Sequence, residues 1–320
     1  MTRISGWLLS CLACASFAVC AQGYPARPIR MIVPFPPGAG TDVVARMVSL
    51  RLADNLKTPV VVENRTGAGG AIGAEAVAKA EPDGYTLLFV ASPFTTVPAA
   101  SRSAGYEPIR QFAPIALIAV GPLVWAVGPG VPARSLRELL GLARAQPGSL
   151  SYGSAGPGSI NHLALELLKI RSGTDILHVP YKGMGPALLD LAGGQIHMLT
   201  TTIPAALPYV KQDRMRILAV TGLKRSAMLA DVPTMHEQGV NGYDVNNYWG
   251  IVAPAHTSRE IIARLNAEVQ QLLASPEFRE RLEREGVELV PGGPEKFAAY
   301  LAGEYAMWRK IVADAGIKID

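Results

Sequence analysis

What most confines the fold of this chain is a repeated alternation. Short, mostly apolar runs are followed by a glycine-, proline- or serine-rich break, and then by a segment with helical spacing. Ile29–Val33, Val60–Asn64 and Tyr85–Val90 are such runs, separated by a helix predicted from Asp42 to about Asn55 and an alanine-rich helix ending near Lys79. Runs this short and this continuously apolar suit strands buried on both faces, so the pattern predicts a parallel sheet covered by helices. After Ile115–Val120 and Val124–Val127, on either side of Gly121-Pro122, the alternation starts again. Helices are expected at Leu136–Ala145, from Ser159 to about Arg171, at Pro186–Ala192 and at Pro204–Lys211. The strands between them are Leu150–Gly153, Ile176–Val179, Ile196–Thr200 and Arg216–Val220. A short helix opening at Asp231–Thr234, a strand within Asn246–Val252, an amphipathic helix over Ser258–Leu273, a capped start at Ser275-Pro276 and a last helix from Pro294 complete the reading. No motif is shared between the two sets, so the division is into two α/β lobes rather than a repeat. The expected boundaries are residues 22–121 with 222–320 for the first lobe and 122–221 for the second.

The amino terminus speaks for export. Arg3, the apolar run Trp7–Val19 and the small residues ending at Ala21 form a secretory signal peptide over residues 1–21, cut near Ala21. Lipid attachment at Cys20 is the weaker alternative, because Val19 is bulky for the preceding position. All three cysteines (Cys11, Cys14 and Cys20) fall in this segment, which leaves the remaining chain without a disulfide, a thiol nucleophile or a cysteine metal site. About 300 residues are left to be held by apolar cores alone. A net charge of +4, scattered along the chain, is not the stripe that nucleic acid requires.

The stretch from Ile32 to Asp42 carries the strongest local chemistry. A strand breaks at Pro34-Phe35-Pro36-Pro37, turns through Gly38-Ala39-Gly40, and opens a helix at Thr41-Asp42, either of which suits the N-cap. Free backbone N–H groups and the positive end of a helix dipole make such a turn an anion site in embryo. Ligands of open parallel sheets bind beyond the carboxyl ends of the strands. The turns there are Phe35–Asp42, Gly67–Gly70, Ser92–Thr96, Ser154–Ser159, Tyr181–Gly183 and Thr200–Thr202: polar, glycine-rich and nearly uncharged. Gly67-Ala68-Gly69 with Gly73 imitates a dinucleotide fingerprint, but no acidic residue ends the next strand. Ser154 lacks the first glycine of a nucleophile elbow and has no evident histidine–acid pair. The five histidines show no metal-ligand spacing. No cofactor and no metal are expected.

Several motifs in order resemble the tripartite tricarboxylate transporter receptors, the Bug family. They are Tyr24-Pro25 to Ile29, Val33–Gly38 leading to Asp42–Arg46, Val62–Arg65 to Gly67–Gly70, Pro82–Leu87, Val179–Gly183, Asp190-Leu191 to Gly194-Gln195, and the tail from Trp249-Gly250. Ala39, Val97 and Gln111 depart from the pattern, which has glycine, asparagine and aspartate there. The resemblance implies a type II periplasmic-binding-protein fold: two doubly wound α/β lobes closing over a small carboxylate in an interlobe cleft, in the periplasm. Carried onto matching positions, it implies one jaw of Phe35, Gly38, Ala39, Thr41 and Asp42 with Ser92 beside them, and another of Ser154, Ala155, Gly156 and Ser159. Thr201 and Tyr248 are added as candidates, Tyr248 with room for a ring. Asp42 is expected to fix the turn or orient water rather than touch an anion. The implied partners are a small carboxylate and the subunits of a membrane permease, with the receptor a monomer and no nucleic acid involved. A ligand-sensing receptor is the alternative role. A secreted enzyme acting on a carboxylate is the remaining rival, and it needs a constellation that the sequence does not display.

Overall fold

The structure, a computed structural model, describes residues 23–38, 40–101, 103–284 and 286–317. The signal peptide at 1–21, Cys20 and Ala39 lie outside the described residues.

The first lobe opens with β1 (Ile29–Val33), α1 (Gly40–Leu56), β2 (Val60–Asn64), α2 (Ala71–Ala78), β3 (Thr86–Ala91) and α3 (Pro93–Ala100). The chain then runs through β4 (Phe112–Val127), α4 (Leu136–Ala145), β5 (Ser151–Ser154), α5 (Ile160–Ser172), β6 (Leu177–Pro180), α6 (Met184–Ala192), β7 (Met198–Thr202), α7 (Ile203–Val210) and β8 (Arg216–Val220). It ends with β9 (Asn246–Pro254), α8 (Arg259–Ala274), α9 (Pro276–Glu283), β10 (Glu288–Leu289) and α10 (Pro294–Asp314).

Strand order is β2-β1-β3-β9-β4-β7-β5-β6, with β8 and β10 also on β4. The sheet is mixed rather than parallel throughout. β1 is parallel to β2 and β3, and β5 to β6 and β7, but β9 runs antiparallel to both β3 and β4. The two expected strands around Gly121-Pro122 are one strand of 16 residues. Its first half pairs with β9 as far as Pro122↔Asn246, and its second half pairs with β7 from Leu123↔Thr202. A proline is tolerated there because its missing N–H falls where one ladder hands over to the next.

Each half of the sheet is covered on both faces, which explains the unbroken apolar runs. Leu87 and Phe89 pack with α1, α8 and α9, while Leu88 and Val90 face α2, α3 and α10. Likewise Trp125 and Val127 meet α4 and α5, and Val124 and Ala126 meet α6 and α7. Local capping sets the helix ends. Ser135 Oγ accepts from Glu138 N, and Ser258 Oγ from Ile261 N, while Gly173 ends α5 at φ +62°.

Three further features differ from the sequence reading. Ser92–Thr96 is not a turn but the start of α3, with Pro93 in its first turn and Pro98 tolerated inside. The segment Asp231–Thr234 forms turns rather than a helix, because Val220 pairs with Thr234 across it. The chain also does not return to the first lobe at 222. Met235, Val240, Tyr243 and Val245 pack on the core around Trp125 and Tyr152. α10 then spans both lobes, burying Phe297 and Leu301 in one core and Trp308 and Ile311 in the other. Among the described residues, no helix is long and apolar enough to cross a membrane.

Candidate functional site

The turn after β1 is built around one buried carboxylate. α1 begins at Gly40, so Thr41 and Asp42 lie inside its first turn rather than before it. Asp42, 2% exposed, accepts from Gly38 N (2.9 Å) and Arg46 Nε (2.9 Å) through Oδ2, and from Asn64 Nδ2 (2.7 Å) through Oδ1. Asn64 Nδ2 also lies 2.9 Å from the Phe35 carbonyl. The carboxylate therefore ties the β1–α1 turn to the end of β2. Burial pushes its pKa up, but the hydrogen bonds from Arg46, Asn64 and Gly38 outweigh that and hold it below the ordinary range. Gly38 takes φ +79°, a conformation that favours glycine.

Between the lobes lies a cleft of about 240 Å³. Phe35, Thr41, Ala91, Pro93 and Asn247 line it from the first lobe, and Leu123 from the β4 crossing. Ile160, Asn161, Met184, Leu188, Thr201, Thr202 and Ala205 line it from the second. None of these side chains is ionisable. The first turns of α1, α3, α5 and α7, each following the carboxyl end of a strand, all contribute lining residues. An anion here meets helix starts from two directions instead of a salt bridge.

The hydrogen bonds of the lining groups fix what they can offer. Asn247 Oδ1 accepts from Ser92 N (3.2 Å) and from Ser92 Oγ, so its amide NH₂ is turned away from Ser92 and left to donate. Thr41 Oγ1 accepts from Trp249 Nε1 (3.3 Å), which leaves its own hydroxyl proton for a ligand. Asn161 spends its NH₂ on the Thr200 carbonyl (2.8 Å) and hydroxyl (3.1 Å), and so offers only its Oδ1 acceptor.

Of the residues singled out from sequence, Phe35, Thr41 and Thr201 line the cleft. Gly38 and Asp42 shape the turn beneath it, and Ser92 is fully buried behind Asn247. Ser154, Gly156 and Ser159, with Ala155 among them, build the loop from which α5 starts rather than the cleft wall. Ser154 Oγ accepts from Gly156 N (3.0 Å), and Ser159 Oγ donates to the Gly156 carbonyl (2.6 Å). Tyr248 is not at the cleft. It is fully buried, edge-on to Tyr300, with its hydroxyl 3.2 Å from Thr95 Oγ1. Strand alternation is the reason: Asn247 and Trp249 point towards the site, so Tyr248 points into the opposite core. Asn161, Asn247 and the apolar side chains of the lining were not singled out from sequence, whereas Thr202 belongs to the Thr200–Thr202 turn that was. The one signal for Asn247 was a pair of asparagines opening an otherwise apolar strand.

The fold also supplies Ser154 with a histidine. His178, from β6, lies with Nε2 2.6 Å from Ser154 Oγ, and its ring stacks on His162 at 4.1 Å. Ser154 Oγ also accepts from Gly156 N (3.0 Å), and the tautomer of His178 sets which of the serine and imidazole donates. Burial foremost lowers both histidine pKa values to about 4, with Lys169 adding to it at each. The pair resembles a nucleophile and base, yet Ser154 is fully buried and off the cleft wall, so it cannot reach a bound molecule. No cluster of three or more potential metal ligands occurs among the described residues.

Comparison with known proteins agrees with this architecture. The family model described as tripartite tricarboxylate transporter family receptor matches residues 44–317. Protein BugT of Bordetella pertussis is 37% identical over 323 residues, covering 100% of this chain and 99% of that protein. A solved R. palustris protein with adipate is 36% identical, covers 92% of this chain and 99% of that one, and superposes with a TM-score of 0.84. MatC from Rhodopseudomonas palustris, with bound malate, is 31% identical over 90% of this chain and 100% of its own, with a TM-score of 0.80.

Proposed function

The chain belongs to the tripartite tricarboxylate transporter receptor family, and on that premise we propose that it captures a small carboxylate between its two lobes and presents it to a membrane permease. The observation that carries this reading is the cleft itself: enclosed from both lobes, free of ionisable side chains, and surrounded by helix starts and neutral donors. Thr41 and Asn247 offer donors from one jaw, and the Thr201 and Thr202 hydroxyls face them from the other. Hydrogen bonds to a charged group contribute roughly 1.5–3 kcal/mol each, so a few suffice for micromolar binding, about −8 kcal/mol. Relatives solved with adipate and malate support a carboxylate as the ligand class.

Closure follows from the same contacts. A ligand touching both jaws binds the closed state better than the open one and shifts the balance by that difference. β4 is the shared strand about which the lobes would move. Beside it, Thr221 Oγ1 accepts from Leu123 N (2.7 Å) and donates to the Val245 carbonyl (2.6 Å), pinning two chain segments at the crossing. The closed form is then the one a permease recognises. A thermal-shift screen of small carboxylates tests the reading, since binding raises stability by about 2.7 kcal/mol at a hundred times Kd. A rise in melting temperature with an acid, together with loss of its uptake on deleting the protein, is the expected result. A screen in which no carboxylate raises the melting temperature would sink it.

A further inference from the structure

We propose that Glu304 makes the hinge between the lobes proton-sensitive: carrying a proton it lets α10 stay packed across both, and ionised it opposes Asp244 and loosens the clamp. The geometry of α10 points there first. Phe297, Leu301, Glu304, Trp308 and Ile311 recur at i, i+4, i+7, i+11 and i+14, so they share the helix face turned inward. Phe297 and Leu301 end in one core, Trp308 and Ile311 in the other. Glu304, half-buried, is the one ionisable member of that stripe, and it lies where the helix passes between the lobes. Asp244 holds the matching place on another crossing. Its neighbours Tyr243 and Val245 are buried in the second-lobe core, and β9 begins beyond it at Asn246, opposite Pro122 of β4. Asn246 Nδ2 donates to Asp244 Oδ1 (2.6 Å).

The Glu304 carboxyl has a neutral donor, Trp308 Nε1, 3.0 Å from Oε2, and faces the Asp244 carboxylate with the phenols of Tyr300 and Tyr248 nearby. No cation answers it from the elements packed on α10. α3, β4 and β9 contain no charged residue. On α5, Lys169 pairs with Glu166 (3.1 Å), Arg171 is held by the Asn241 carbonyl, and His162 stacks on His178. On α8, Arg264 pairs with Glu268 (2.9 Å), and Arg259 and Glu260 are exposed; so are Arg309 and Lys310 of α10 itself. Burial foremost raises the Glu304 pKa from 4.5 to about 7; the bond from Trp308 works against the rise and Asp244 adds to it. With Glu304 neutral, the seam carries one negative charge. Ionisation sets a second beside it in a half-buried place, and drawing α10 away from Asp244 relieves both the repulsion and the lost hydration. An arrangement that holds a proton more tightly is favoured as pH falls, so the joined lobes give way as pH rises through about 7. Capture should weaken with them. That consequence rests on the reading that a carboxylate touches both lobes, whereas the hinge itself does not.

Small-angle scattering of the ligand-free exported chain at about pH 6 and about pH 8 tests the hinge. The parent is expected to expand at the higher pH by about 1 Å on a radius of gyration of about 19 Å. Glu304→Gln, which keeps an oxygen for Trp308 Nε1, should stay at the compact value throughout. Asp244→Asn leaves the Trp308 bond untouched and should expand by less than half as much as the parent. A parent of constant size, or an equal expansion in Glu304→Gln, overturns the proposal. Calorimetry with malate as the probe reads the consequence. Its affinity should fall by about threefold to tenfold over the same pH range in the parent, and by less than twofold in Glu304→Gln. Malate failing to bind at either pH would count against the carboxylate reading, and scattering would still decide the hinge.

Discussion

Replacing Asp42 by asparagine separates two roles for that residue by the sign of the result. The side chain keeps its shape, and Oδ1 can still accept from Asn64 Nδ2. The new amide nitrogen, however, replaces the oxygen that received Gly38 N at 2.9 Å and Arg46 Nε at 2.9 Å, so donors now confront a donor. The lost bond from Gly38 to a charged acceptor is worth about 1.5 kcal/mol. The Arg46 pair adds at most about 0.5 kcal/mol, because that guanidinium is half exposed. Asp42→Asn should therefore lower stability by about 2 kcal/mol in urea unfolding. If Asp42 only contributed negative charge next to a bound anion, removing the charge would raise affinity. If it holds the turn, affinity for the carboxylate falls, by tenfold or more in calorimetry. The acid dependence gives a second check. Because the folded pKa lies below 3.8, the stabilisation is present above that value and fades as pH falls through the folded value. The gap between the two proteins should close there. Tighter ligand binding by Asp42→Asn, or a stability loss under about 0.5 kcal/mol, would refute the reasoning.

Gly38→Val should abolish ligand binding and leave the protein folded, since nothing lies within 4 Å of the added Cβ and only the φ of +79° is strained, at about 1–2 kcal/mol; circular dichroism and calorimetry read the two effects, and unchanged affinity would remove the turn from the site. His162 and His178 are held neutral down to about 4 in the fold but titrate near 6.5 when unfolded. Their contribution to stability is complete above 6.5 and declines as pH falls from 6.5 towards 4; a His162→Gln/His178→Gln protein should lose less than the parent across that window in urea unfolding, and equal losses would count against the pair. Burial raises Glu304 from 4.5 to about 7, despite its bond from Trp308 Nε1 at 3.0 Å. The unfolded chain then releases this proton first, so stability falls as pH rises from 4.5 to 7; Glu304→Gln should flatten that decline, and an unaltered slope would contradict the assignment.

Much of the layer structure was legible because it is local. Leu87 to Val90 alternate between two covered faces, and a run buried on both sides must be apolar throughout. Ser135, Ser159 and Ser258 mark helix starts, since a cap acts within three residues. The turn at Pro34–Gly38 announced itself by residues that only such a backbone explains. α3 was hidden because Pro93 and Pro98 read as breaks, although the first suits an opening turn and the second is accommodated.

The amino-acid order alone decided that this is an exported α/β chain of two lobes, with its three cysteines all before residue 22 and a proline- and glycine-rich turn after its first strand. Its strand runs, caps and turn residues act over a few positions, so they can be read without a partner. What only the tertiary structure decided is which side chains meet. Asn247 reaches Ser92 across 155 positions, His178 meets Ser154 from the neighbouring strand, and Tyr248 turns into the core while Asn247 turns out. Those outcomes depend on strand register and on which face each strand presents, and a one-residue change in either would exchange every neighbour. The character of the cleft, lined by uncharged side chains from both lobes, is fixed by those same encounters.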